Sequence, residues 1–184
     1  MGGHRYPLSV TDYVALLRGI NVGGIRIAMA DLRAEFEALG VGEVSTVLAT
    51  GNVRFTSDRT DVVALRAEIE SALSARFDYR AYVFLHSRDA IRSALDGYPF
   101  PTDQADRHSY VLFVADDDIR AELLDAASDL DPAVERVADG DGVLYWDVVK
   151  KMTLTSPFGK ALGRARYKAT TTNRNLRTVR SIVA

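Results

Sequence analysis

At 184 residues, with 47% hydrophobic and 26% charged positions, the chain suffices for one large domain or two small ones that share a core. It contains no cysteine, which excludes a disulfide framework, a thiolate nucleophile and a cysteine metal site, and points to the cytoplasm. The net charge of −2 is unevenly spread: no acidic residue follows Asp147, so the last 37 residues hold nine basic groups, while residues 1–147 hold 14 basic against 25 acidic.

The basic groups at the end are Lys150, Lys151, Lys160, Arg164, Arg166, Lys168, Arg174, Arg177 and Arg180. Such a section is either an anion-binding surface or a strap that neutralises its own acidic body. No stretch approaches the eighteen or so apolar residues of a membrane span, so no membrane association is expected. Residues 1–12, read as an N-terminal extension, lack the apolar core of a secretory signal.

Tyr13–Arg18 is an apolar run ended by one charge and a glycine-rich loop, Gly19 to Gly24, and it reads as a buried strand. Met29, Leu32, Phe36 and Leu39 recur at helical spacing, with Asp31 in the first turn and Gly40 just past the end. Val44–Leu48 and Val53–Thr56 form a hairpin around Ala49-Thr50-Gly51-Asn52, which supplies residues that accept positive φ. Thr60 is the expected cap of a helix carrying Leu65, Ile69, Leu73 and Phe77, and Tyr79–Leu85 is the next strand. The order βαββαβ is ferredoxin-like, and a short helix over Arg88–Leu95 follows it.

Residues 13–100 are thus a first half, 101–107 a polar linker and 108–184 a second half on the same plan. Tyr110–Val114 is its buried strand, Ile119, Leu123, Ala126 and Leu130 its helix, and Asp139-Gly140-Asp141-Gly142 turns a hairpin of Ala133–Val137 and Val143–Val148. Ser156-Pro157 opens a helix as cap and first residue, and a last helix is expected over Asn173–Val183. The class is α+β, two similar ferredoxin-like halves with antiparallel sheets and packed helices. Alignment of Tyr13 with Tyr110 leaves about eight extra residues in the first half, which fall in the Gly19–Ile27 loop; long loops on compact scaffolds tend to carry function.

Gly19, Gly23 and Gly24 resemble a phosphate-cradling loop only loosely: the spacing fits neither dinucleotide nor Walker patterns. Arg18 at the end of an apolar strand must reach solvent, a carboxylate or a ligand. Asn21 and Asn52 either bond their own loop backbones or present amides at the same sheet edge. Arg174, Arg177 and Arg180, three apart, are expected on one basic stripe of the last helix, with Thr172 and Asn175 near its start. His4, His86 and His108 have no partner at metal-ligand spacing, so no metal is expected, and Asp116-Asp117-Asp118 reads as a helix cap. No cofactor, nucleophile or general base can be named.

The segments Tyr13 to Gly24, Met29-Ala30-Asp31-Leu32-Arg33 and Gly51-Asn52-Val53 resemble the opening signature of the bacterial family known as domain of unknown function 1697. Pro99-Phe100, and Thr172, Arg174-Asn175 and Thr178-Val179 near the end, resemble its further motifs. The chain departs from that pattern in having Thr50 for serine, Leu176 for tryptophan and Ile25-Arg26-Ile27 where lysine often follows the glycines. The resemblance implies a duplicated ferredoxin-like fold and no established activity.

The residues support a protein that binds an anionic ligand, whether a nucleotide, a phosphorylated metabolite or nucleic acid. The expected contacts are Arg18, Gly19, Asn21, Gly23, Gly24, Thr50, Gly51, Asn52, Thr172, Arg174 and Asn175. The basic segment has few aromatics for stacking, which ranks nucleic acid below a small anion. The alternative is a structural or assembly module whose basic end binds the acidic body or a second copy, giving a homo-oligomer.

Overall fold

The structure, a computed structural model, describes residues 10–21 and 25–184. The chain divides into two compact units, residues 1–89 and 90–184. Each holds a four-stranded antiparallel sheet with packed helices, which agrees with two similar halves.

The first unit runs β1 (Thr11–Arg18), α1 (Met29–Ala38), β2 (Gly42–Thr46), β3 (Asn52–Ser57), α2 (Val62–Phe77) and β4 (Tyr82–Ser87), with sheet order β2-β3-β1-β4. Strand residues alternate between faces, so odd-numbered Tyr13, Ala15 and Leu17 join Val53, Phe55, Val83 and Leu85 beneath the helices. Leu32 and Phe36 of α1 and Leu65, Ile69 and Leu73 of α2 complete that core, all at 0% exposure. At about 1.5–3 kcal/mol per fully buried large side chain, these five residues alone account for much of the drive to fold the unit. The α2 cap is Asp61, whose carboxylate accepts from Ala64 N at 2.9 Å, one residue beyond the expected Thr60.

Helix α3 (Arg88–Asp96) follows, and the second unit continues as β5 (Arg107–Val114), α4 (Asp117–Asp125), β6 (Glu135–Asp139), β7 (Val143–Val149), α5 (Pro157–Leu162), a 3-10 turn (Ala165–Tyr167), β8 (Thr171–Asn175) and α6 (Leu176–Val183). Its sheet order is β6-β7-β5-β8. Ser156 caps α5 with Pro157 behind it, and Asp116 caps α4 through Ile119 N at 2.9 Å, as the sequence suggests. The core collects Leu112, Leu123, Leu144, Trp146, Val148, Phe158 and Tyr167, with Trp146 stacked on Tyr110 at 5.2 Å.

The last helix is shorter than expected. Residues 171–175 are a fourth strand, paired with β5 from Tyr110↔Asn175 to Val114↔Thr171, and the helix begins only at Leu176. The strand exists because the free edge of β5 offers partners to a segment that opens with two β-branched threonines.

The two units differ most between the first strand and helix. Ten residues, 19–28, join β1 to α1, whereas only Ala115 and Asp116 join β5 to α4. The extra length lies in the Gly19–Ile27 loop.

Candidate ligand site at the loop edge of the first sheet

Arg18 is the last residue of β1 and pairs across the sheet with Tyr82. Its side chain is half-buried, and burial lowers the guanidinium pKa from its ordinary value, with Tyr82 opposing the shift. Gly19 follows at φ +80° and Asn21 at φ +54°. Asn21 braces the loop: its Nδ2 donates to Ile27 O (3.3 Å) and Ala49 O (3.0 Å), its Oδ1 accepts from Ile27 N (3.0 Å), and its own N–H donates to Ile25 O (2.7 Å). Gly23 and Gly24, with Val22, lie outside the described residues.

The bond to Ala49 ties this loop to the β2–β3 turn. There Asn52, fully buried, donates from Nδ2 to Val47 O (2.8 Å) and to Thr50 Oγ1 (3.0 Å), while Leu17 N donates to Gly51 O (2.8 Å). Gly51 is required twice over, by φ +75° and because a Cβ would stand 2.9 Å from Ile20 Cγ1. Gly19 is required by φ, since among the described residues nothing lies within 4 Å of where its Cβ would be. Arg18, Gly19, Asn21, Thr50, Gly51 and Asn52 therefore share one braced edge, with Gly19 and Thr50 exposed upon it. Leu48 in the same turn is 53% exposed at φ +59°, a conformation that a large side chain rarely adopts.

In the second unit the three expected residues fall on β8 and its junction with α6. Arg174 is 8% exposed and donates from Nη1 to Thr172 Oγ1 (2.9 Å) and Asn173 O (3.0 Å); Asn175 caps α6 by accepting from Arg177 N (2.9 Å). The basic stripe expected of Arg174, Arg177 and Arg180 is therefore not on one helix: the first is a buried strand residue and the other two are exposed on α6. Arg174 is the one buried member of the nine C-terminal cations, and Arg166 pairs with Glu122 at 2.5 Å.

Two buried carboxylates in the second unit escape the sequence reading. Glu135, 1% exposed, accepts from Trp146 Nε1 (3.0 Å), Ser156 Oγ (2.7 Å) and Phe158 N (2.9 Å), so it fastens β6 to β7 and the start of α5. Asp147, fully buried, is held by Arg107 Nε (2.5 Å) and by Arg136 Nη2 (2.6 Å) and Nε (3.0 Å). Arg136 also lies over the Phe100 ring and donates to Gln104 Oε1 (3.2 Å), which anchors the polar stretch before β5. Burial and nearby Asp147 push the Tyr98 hydroxyl up to about 12 against the pull of Ser109. Both carboxylates hold structure together, Glu135 through both of its oxygens and Asp147 through Oδ2, while the buried Asp147 Oδ1 has no hydrogen-bond partner.

A third feature was missed as well. Asp12, Tyr13, Glu43, Ser45, Arg54, Phe55, Thr56 and Arg88 line a hollow of about 90 Å³ in the first unit. Its signal in the sequence was the polar pair Arg54 and Thr56 at strand spacing on β3.

Residues 10–145 match the family described as Protein of unknown function (DUF1697). The chain belongs to that family. The matched DUF1697 span takes in the whole loop edge and the hollow and ends before Thr172. The conserved bacterial protein SP0830 from Streptococcus pneumoniae is similar in structure, with a TM-score of 0.77, 24% identity, and coverage of 95% of this chain and 98% of that one. An unknown protein from Galdieria sulphuraria aligns over 91% of this chain and 98% of its own at 12% identity, but its TM-score of 0.28 carries no argument. No curated protein matches. The likeness to SP0830 speaks for the DUF1697 fold alone.

Among the described residues no helix is long and apolar enough to cross a membrane, and no three of His, Cys, Asp and Glu are grouped to hold a metal ion. At the loop edge this DUF1697 member places the half-buried Arg18 beside exposed Gly19 and Thr50.

Proposed function

We propose that the protein binds a small anionic ligand, a nucleotide or a phosphorylated metabolite, at the edge formed by Arg18, Gly19 and Thr50. The observation that carries this reading is the placement of Arg18. A half-buried guanidinium ends an apolar strand directly before an exposed glycine, at which no described residue lies within 4 Å of where a Cβ would be. A desolvated cation attracts an anion more strongly than one in water, and glycine lets a phosphate approach the backbone closely. Thr172 and Arg174 of the second unit are further candidate contacts. We take each unit as ferredoxin-like, which its strand order and registers support, and the lack of cysteine supports a cytoplasmic setting.

A thermal-shift screen with ATP, GTP and glucose 6-phosphate tests the proposal on wild type, Arg18→Ala and Arg174→Ala. A stabilisation lost in Arg18→Ala supports it; no shift, or an equal shift in all three proteins, refutes it. A nucleic-acid ligand would instead give gel retardation that weakens steeply with salt.

The second reading, a structural or assembly module, is favoured by the bracing itself. Asn21 and Asn52 direct their amides to their own loops. A concentration-dependent dimer in sedimentation, with no response to any anion, would support that reading.

A further inference from the structure

Beside the buried Val14 and Leu16, the even-numbered positions of β1 and β3 also carry a polar group at one end of the first sheet. Register places Asp12 beside Thr56 and Thr56 beside Gly42 in one row, and Val14 beside Arg54 and Arg54 beside Ser45 in the next. Arg88, first residue after β4, closes the hollow from the other side. We propose that this hollow is a binding site for a small zwitterion of the α-amino acid class, separate from the loop edge.

Four features argue for it. The charges of the lining balance, two guanidiniums (Arg54, Arg88) against two carboxylates (Asp12, Glu43), so a neutral dipolar molecule fits better than a polyanion. Arginine takes a carboxylate in two-pronged fashion, and a carboxylate takes an ammonium, each by charge-assisted hydrogen bonds. Arg88 Nη1 stands 3.8 Å from Asp12 Oδ2, so a cation and an anion meet on the wall of the hollow. The volume of about 90 Å³ is well below the roughly 300–1,000 Å³ of ordinary drug or cofactor sites, which excludes a nucleotide and keeps the occupant small.

The fourth feature is the way β2 is bent to supply the acid. The β2–β3 register shifts between Gly42 and Ser45, and Glu43 within the shift has φ +48° although it is not glycine. At Gly42 beside it a Cβ would stand 2.6 Å from Thr56 Oγ1, so a larger residue would displace that hydroxyl. A bulge re-aims a side chain, and a strained backbone is retained where a neighbouring requirement holds it. Glu43 is exposed and contributes nothing to the core, so packing does not explain its conformation. Glycine there would relieve the strain but would remove the carboxylate.

Full-length protein is titrated with L-serine and L-alanine by ligand-observed NMR and calorimetry, with lactate and ethanolamine as partners lacking the amine or the carboxylate. Binding of an amino acid at least tenfold tighter than of lactate or ethanolamine is expected. Arg54→Met, which keeps the aliphatic stem, and Glu43→Gly should each weaken that binding at least tenfold, while Glu43→Gly melts no lower than wild type. The proposal is overturned if neither amino acid binds, if lactate and ethanolamine bind as well, or if a folded Glu43→Gly binds unchanged.

Discussion

Replacing Asn21 asks whether the loop edge is held by this one side chain. Three hydrogen bonds depend on its amide: to Ile27 O at 3.3 Å, to Ala49 O at 3.0 Å, and from Ile27 N at 3.0 Å. Glycine at this position keeps the φ of +54° without strain but loses all three bonds. At about 0.5–1.5 kcal/mol net per bond, and with the contact to Ala49 exposed, Asn21→Gly should cost about 2 kcal/mol. Alanine loses the same bonds and must also adopt the left-handed region, which adds about 1 kcal/mol. Aspartate keeps the acceptor for Ile27 N and tolerates the backbone, so it should cost about 1 kcal/mol. Urea unfolding followed by circular dichroism measures this order, and amide exchange at buried Ile27 should accelerate in the glycine and alanine variants. Equal stability of Asn21→Ala and Asn21→Gly would refute the backbone part of the argument. A wild-type rate of exchange at Ile27 in both would refute the bracing itself.

Glu135→Ala leaves the Trp146 indole, the Ser156 hydroxyl and the Phe158 amide buried without their acceptor, and should cost about 4 kcal/mol; Trp146, the only tryptophan in the chain, reports it by fluorescence during denaturation. Gly51→Ala should be destabilising by about 3 kcal/mol because positive φ and contact with Ile20 act together, whereas Gly19→Ala carries the φ penalty alone, about 1–2 kcal/mol; equal melting temperatures for the two would refute the steric part. Burial lowers the His86 pKa from 6.5 to about 4. Between those values the unfolded chain binds a proton that the folded chain refuses, so stability should fall as pH drops through that window, by at most about 3 kcal/mol. His86→Gln should flatten the slope in a pH series of urea midpoints.

Much of the local structure was legible because it rests on neighbours in the chain. Leu65, Ile69 and Leu73 mark α2 by spacing, Ser156-Pro157 marks the start of α5, and the comparison of the two halves places the added residues after Arg18. The candidate site was legible to the extent that it is local. Gly19, Asn21 and Gly51 announce the positive φ they adopt, whereas Asn52 does not adopt it, and Arg18 stands out as a charge at the end of an apolar run. That Asn21 would reach Ala49, so that two turns become one edge, required coordinates.

What the sequence by itself determined was the α+β class, the doubling of the plan and the loop that distinguishes the first half, since periodicity, turn chemistry and length are written in consecutive residues. Tertiary structure decided what depends on pairing at a distance. Thr171–Asn175 became a strand because the edge of β5 accepted it, which moved Arg174 from a helix surface into a buried row. Asp12, Glu43, Arg54 and Arg88 met around one hollow only through the registers of β1, β2 and β3 and the turn from β4 into α3. A one-residue slip in any of those registers would send the same side chains to the opposite face.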